Sequence, residues 1–315
     1  MTFDENADTG RDLEATLSAY AGRRYCVCCS SGSAALDLAM AAVRPKSIYL
    51  PASTFPAAHE SARRLGIERL FADVDDDGQM LAPTHPNAIV AGAWFCPASN
   101  LGVAPKWLHS QPPNVINDAA AAILSPDVLR LGHIATVSFN ANKAVTGYGG
   151  GALLTDDPGV ADIATQLKRH GELDGFAPGW NYQMPGPCAE IILRNLARVD
   201  EIREQYASLA HAYAFHLQRV GLRAFPRALD VPWATAVIMR SRERRMRAIE
   251  GIAEAMDLVC RTAWRACASM PRALEIDICG LFLPGPFYGE ADMPRPEQTA
   301  EICDIIAESN KDDGC

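Results

Sequence analysis

Through residue 155 the chain alternates short apolar runs with helical stretches. The runs Tyr25–Cys29, Ser47–Leu50, Arg69–Val74, Asn87–Phe95, Asn114–Asn117, His133–Phe139 and Gly151–Thr155 read as strands. Asp12–Tyr20, Ala34–Val43 and Pro56–Leu65 carry helical spacing or an excess of helix formers. Seven strands interleaved with helices predict an α/β fold on a mostly parallel sheet, covered on both faces. Ligands of such sheets bind beyond the C-terminal ends of the strands, so polar residues there are the first functional candidates.

Beyond Thr155 the pattern changes. Pro187–Val220 reads as one long helix, Arg240–Arg247 is a basic run, and Ala248–Ala268 looks helical. A strand is expected within Leu274–Pro284 and a last helix over Pro294–Ser309. With 315 residues the chain has room for a large domain, 1–185, and for a connecting helix with a small C-terminal α/β domain, 186–315.

A formal charge of −9 argues against nucleic acid as the main partner but leaves room for a small phosphorylated ligand held by local donors. No apolar run approaches the length of a membrane span, and the polar, acidic stretch Met1–Gly10 is unlike a secretory signal. Most of the ten cysteines sit inside apolar runs and read as small buried hydrophobes of a reducing, cytoplasmic setting. Cys26-Val27-Cys28-Cys29 lies on a strand pattern whose neighbours point to opposite faces, with no second ligand pair at zinc-like spacing. No metal is therefore expected.

The chemistry centres on Ser138-Phe139-Asn140-Ala141-Asn142-Lys143 and the glycine-rich turn Gly147-Tyr148-Gly149-Gly150-Gly151. A lysine just past a strand end can form an imine with an aldehyde, and a serine five residues upstream can hold a phosphate. Asp118 ends an earlier strand and supplies a carboxylate. An amine, a carboxylate and a phosphate donor together fit pyridoxal 5′-phosphate (PLP), which needs a lysine at its aldehyde and an acid at its pyridine nitrogen. Burial near a cationic ring would lower the lysine pKa and make it nucleophilic. The strand–turn–helix unit around Ser30-Ser31-Gly32-Ser33-Ala34 offers free N–H groups and hydroxyls to the phosphate.

Each residue also has a plainer reading. Lys143 alone reads as a loop lysine, Asp118 as an Asx turn or helix cap, and Ser33 as an ordinary N-cap. Phe55, after Pro51-Ala52-Ser53-Thr54, suits either stacking on a flat ring or the core. Asn181, within Gly179-Trp180-Asn181-Tyr182-Gln183-Met184, suits either a phosphate or its own backbone. Arg240, Arg242, Arg244, Arg245 and Arg247 surround a helix and read as a solvated face, with an anionic substrate as the alternative.

Taken in order, these segments resemble the DegT/DnrJ/EryC1/StrS family of PLP-dependent sugar aminotransferases of fold type I. The matching stretches run from Leu13 to about Arg203. They include Ser31-Gly32-Ser33-Ala34-Ala35-Leu36, Pro51–Phe55, Asp73-Val74-Asp75, Asn117–Ala120, Ser138–Lys143, Gly147–Gly151, His170-Gly171 and Gly179–Met184. The resemblance implies that Lys143 carries the cofactor and shuttles protons, and that Asp118 holds the pyridine nitrogen. It further implies that Gly32, Ser33, Ala34 (through its N–H) and Ser138 hold the phosphate and that Phe55 stacks on the ring. Asn181 would reach the phosphate of a second subunit in a homodimer with shared active sites.

Three single positions depart from the family pattern, and the stretch Ala91–Cys96 lacks the histidine usual there. Ala121 stands where the family has Gln or His near the cofactor's phenolic oxygen, Tyr148 replaces a Glu, and Gln183 replaces an Arg. The resemblance implies transfer of an amino group from a donor such as glutamate to a keto-sugar, nucleotide-linked by family analogy. The departures keep two alternatives in view: a PLP enzyme acting on a non-nucleotide substrate in a specialised pathway, and a non-catalytic PLP-binding regulator.

Overall fold

The computed structural model describes residues 5–82, 92–170, 179–226, 231–256, 258, 260–262, 266, 268, 270–284, 294 and 296–311. The first half of the chain is laid out as α1 (Glu5–Ala21), β1 (Tyr25–Cys29), α2 (Gly32–Val43), β2 (Ser47–Pro51), α3 (Ala57–Arg64), β3 (Glu68–Ala72) and β4 (Trp94–Phe95). It continues with β5 (Ile116–Asp118), α4 (Pro126–Leu129), β6 (Ile134–Ser138), β7 (Gly151–Thr155) and α5 (Pro158–Leu167). The strands take the order β3-β2-β4 and β5-β6-β7-β1. Parallel bridges Phe95↔Val115 and Ala98↔Asp118 join the two sets. The expected seven-stranded, mostly parallel sheet is therefore present, with β7 antiparallel to both of its neighbours. Of the run Asn87–Phe95, residues 87–91 lie outside the described residues, and Trp94–Phe95 pair with β2.

Strand alternation divides the core. Cys26, Cys28, Ala135, Val137, Ala152 and Leu154 face the α1 side, together with Leu13 and Leu17. Val27, Cys29, Ile134 and Leu153 face the α2 side with Ala35, Leu38 and Ala39. Cys26 Sγ lies 4.0 Å from Cys28 Sγ, as the i, i+2 spacing on a strand requires, and Cys29 belongs to the opposite layer. The cysteines described are free, and most are buried.

The second half comprises α6 (Gly186–Leu196), α7 (Val199–Arg219), β8 (Ala224–Phe225), β9 (Ala236–Ile238), α8 (Arg242–Met256), β10 (Arg261–Thr262), α9 (Pro271–Cys279), β11 (Gly280–Phe282) and α10 (Pro296–Ser309). The strands form an antiparallel sheet of order β10-β11-β9-β8. Tyr213, Leu217, Val237, Ile252, Leu281 and Ile306 are among the residues of a core cluster there.

Several expectations need correction here. The single helix over Pro187–Val220 is two helices, broken at Ala197–Arg198. Neither Pro nor Gly marks the break. Asp200 and Glu201 begin the new helix as favourable first-turn acids, and the Arg198 guanidinium donates to Glu201 at 2.8 and 2.9 Å. The helix expected over Ala248–Ala268 starts earlier and ends at Met256, giving way to β10. The strand expected within Leu274–Pro284 is present as Gly280–Phe282, preceded by a helix that Pro271 starts at its first turn. Arg245 is not on a solvated face. It is buried, donates to the Asp277 carbonyl, and burial lowers its pKa.

Candidate active site

The turn from β1 into α2 builds the first wall. Ser31 has extended backbone (φ −167°), and its hydroxyl accepts the Ala34 N–H at 3.1 Å. Ser31, not Ser33, is thus the N-cap, which frees the exposed Ser33 hydroxyl from that duty. As the first two helical residues, Gly32 and Ser33 have N–H groups with no intrahelical acceptor, at the positive end of the helix dipole. The Ala34 N–H, expected to serve a phosphate, is already engaged by Ser31.

Two glycines let the strand ends close on this turn. A Cβ on Gly32 would lie 2.7 Å from Ser138 Cβ, so α2 and the end of β6 approach as only glycine permits. A Cβ on Gly151 would fall 2.3 Å from the Ser31 carbonyl carbon and 2.5 Å from the Gly32 nitrogen. Gly151→Ala is expected to push β7 away from the cap of α2. Denaturant unfolding should register a loss of roughly 1–3 kcal/mol, typical of overpacking, and PLP affinity measured by titration should fall in parallel.

The residues after β6 form a compact hairpin. Phe139 N–H donates to Gly150 O, Gly147 N–H to Phe139 O, and Lys143 N–H to Asn140 O, each at 2.9 Å. Ser138 Oγ accepts the Asn140 N–H at 3.4 Å, which leaves its own proton to donate. This turn carries Lys143 over the end of the sheet. Burial holds its pKa down to about 8, with the opposing pull of the Asp118 charge a smaller effect.

Asp118 ends β5, pairs in register with Thr136 of β6, and is buried. Burial raises its pKa, and the Ala120 N–H, at 3.2 Å from Oδ1, and the Lys143 charge oppose that rise. Its backbone is pinned to the neighbouring loop through Asp118 N–H to Pro97 O (2.9 Å) and Ser99 N–H to Asp118 O (2.8 Å).

Lys143, Asp118, Ser138, Gly32, Ser33, Phe55 and Ala121 line one cavity of about 460 Å³. Phe55 is 62 % exposed at its rim, so it is not a core aromatic. Asn100 fixes the loop that displays it, donating from Nδ2 to Ser53 O at 3.2 Å and to Gly78 O at 2.7 Å. Ala34 lies buried behind the wall, and Asn181 is exposed and outside the cavity of its own chain. The stretch around Asn181 is moored to α2: Ser30 N–H donates to Tyr182 O at 2.8 Å, and the Tyr182 hydroxyl donates to Asp37 at 2.9 Å. Of the three departures, Ala121 lines the cavity, whereas Tyr148 and Gln183 are exposed and outside it.

Four functional neighbours escaped the sequence reading. Asn100 was detectable in principle, as the Asn of a Pro-Ala-Ser-Asn turn directly after a strand. Trp233, Thr262 and Phe282 come from the second sheet and its approaches, and they complete the cavity wall. Pro232 and Pro284-Gly285-Pro286 are turn signals beside Trp233 and Phe282, but nothing in the sequence ties them to the site.

The donor set tests the cofactor directly. One amine with a depressed pKa, one buried carboxylate, a flanking aromatic and a helix start with two hydroxyls beside it fit the aldehyde, ring nitrogen, ring face and phosphate of PLP. Sheet order and site together define a PLP-dependent transferase of fold type I. A profile of the DegT/DnrJ/EryC1/StrS aminotransferase family matches residues 3–94 and 101–272, and the chain belongs to that family.

Among solved structures, a putative sugar aminotransferase, Spr1654 from Streptococcus pneumoniae, in its PMP form, superposes with TM-score 0.83. It is 17% identical, over 96% of this chain and 90% of that one. DesI in the presence of its TDP-sugar product gives TM-score 0.83 at 23% identity, over 96% and 84% of the two chains. 3-Amino-5-hydroxybenzoic acid synthase gives 0.78 at 19%, over 96% and 90%. At these identities the likeness establishes the fold. The family match establishes the enzyme class, a PLP-dependent aminotransferase.

Proposed function

We propose that this enzyme transfers an amino group from a donor such as glutamate to a keto-sugar, nucleotide-linked in the simplest case, and that Lys143 and Asp118 carry the reaction. The observation behind this is the shared cavity in which the half-buried Lys143 and the buried Asp118 carboxylate feel each other's charge. Lys143 Nζ would hold the aldehyde end of PLP and is placed to move the proton at the substrate carbon. The Asp118 carboxylate keeps the pyridine nitrogen protonated. Ser33, Ser138 and the N–H groups of Gly32 and Ser33 bind the phosphate, and Phe55 covers one ring face. PLP, when bound, supplies an electron sink for the bond broken next to the substrate nitrogen.

The sugar assignment is supported by family membership and by the TDP-sugar product present in the DesI structure. A second reading, a non-nucleotide cyclic ketone, is favoured by Ala121 and by a cavity whose described lining carries no cation besides Lys143. The likeness to 3-amino-5-hydroxybenzoic acid synthase supports it as well. Half-reaction spectroscopy decides between them. PLP-loaded enzyme is mixed with dTDP- or UDP-linked amino sugars and, separately, with free amino-cyclitols. Bleaching of the visible band with nucleotide sugars alone supports the first reading. Bleaching with the free compounds alone sinks it.

A homodimer with shared sites goes with this proposal. Asn181 is exposed and outside its own cavity, as a residue serving a partner's phosphate would be. A cytoplasmic setting also goes with it and is supported by the free, mostly buried cysteines. Among the described residues no helix is long and apolar enough to cross a membrane. The division near Pro185 is proposed on the same footing, supported by the separate sheet and core cluster of the second half.

A further inference from the structure

We propose that Trp233 is a positioning residue for Lys143, its indole face holding the free amine and its ring N–H fixing the backbone that carries the lysine. This rests on the reading of Lys143 as the reactive amine. Nζ of Lys143 lies 4.5 Å from the centroid of the Trp233 ring, well inside the range of a cation–π contact. The other edge of the same ring donates from Nε1 to the carbonyl of Asn142, the residue before Lys143, at 3.0 Å.

The indole is itself held firmly. Trp233 is buried, and its backbone N–H donates to Leu101 O at 2.7 Å. The next residue, Gly102, has φ +87°, and a Cβ there would lie 3.0 Å from the Trp233 nitrogen and 2.9 Å from Ala121 O. A glycine is thus needed for the segment before β9 to press so close to the floor of the cavity. Trp233 lies ninety positions from Lys143 in the chain, yet it grips the lysine from the backbone side and the amine side.

The physical consequence concerns where the Lys143 amine sits when it is free in the cavity. A lysine on a four-carbon stem would otherwise sample many rotamers in the cavity. The negative face of the indole attracts the ammonium and opposes the burial that drives Lys143 toward its neutral form. Asp118 is the charged group facing Lys143 from β5, and no other described residue lining the cavity carries a charge. Cys96, next to Asp118, is a buried thiol with its pKa pushed well up and so stays neutral. A change in the titration of Lys143 on altering Trp233 therefore reports the indole.

The test uses the full-length, cofactor-free protein. The apparent pKa of Lys143 is read from the pH dependence of its acylation rate, located by peptide mass spectrometry, in wild type, Trp233→Phe and Trp233→Leu. Trp233→Leu should lower that pKa by roughly 0.4–1.5 units, and Trp233→Phe, which keeps a π face, should restore at least half of the shift. In the loaded enzyme kcat should fall in the order Trp, Phe, Leu with KM for the amino donor little changed.

Protein grown with 5-fluoro- and 5,7-difluorotryptophan preserves shape while draining the π face, so it serves even where the Leu variant does not fold. The pKa should step down with each fluorine. Identical titration in all of these proteins, or equal shifts for Phe and Leu, overturns the proposal. Failure of the underlying reading shows separately, as a visible PLP band indifferent to Lys143→Ala.

Discussion

Lys143→Ala is expected to abolish amino transfer while the protein stays folded. Positioned proton transfer alone contributes about 10²–10⁴-fold, and loss of the covalent attachment point adds to that. The visible absorbance that added PLP gives wild type should shift to that of the free or non-covalently held cofactor. Exogenous methylamine should restore part of the rate, because a small amine can reach the vacated space and move the same proton. A variant that retains wild-type turnover would show that another amine does the work, and the assignment of the cavity would fail.

Asp118→Asn carries the second large effect, and it runs in opposite directions for function and stability. Removal of a preorganised charge at a reacting centre costs on the order of 10²–10³-fold in kcat, and a similar loss is expected here because the neutral amide cannot hold a protonated pyridine. In the cofactor-free protein the same change should raise the melting temperature. Burial disfavours the carboxylate more strongly than the Ala120 N–H and Lys143 favour it, so the native pKa lies above that of the unfolded chain. For an acid this means the folded state binds the proton more tightly. The penalty is then absent below the unfolded pKa and builds as pH rises toward the native one. The gain from Asn should therefore be seen at neutral pH and fade as pH falls toward about 4. A melting temperature unchanged at every pH, with kcat also unchanged, would mean that Asp118 faces no ring.

Much of the site was legible because its chemistry and its topology are written in the same short stretches. Asp118 and Ser138 end apolar strands and Lys143 lies in the turn just past one of them, and strand ends in such sheets converge on one edge. The cap of α2 was misread by two residues, since Ser31 and Ser33 are chemically equivalent caps in sequence. Only the extended φ of Ser31 tells them apart. The break at Ala197–Arg198 was hidden because continuous helical periodicity conceals an interruption when no Pro or Gly marks it. Trp233 was beyond reach for another reason. Its role depends on contacts with Lys143 and Leu101, far away in sequence, and nothing in Val231-Pro232-Trp233-Ala234 encodes either.

The reversed direction of β7 has an implication for biosynthesis. Until Gly151–Thr155 leaves the ribosome, β1 has no described strand neighbour and β6 is covered only by β5, so two open strand edges face the crowded cell. That one five-residue insertion covers β6 and one side of β1 in a single event, leaving β1 as the edge strand. It also sets the glycine against Ser31 that squares up the start of α2. A nascent chain long enough to expose β6 outside the ribosome but not Gly151–Thr155 should thus be a target for chaperones, and one long enough to expose both should be less so.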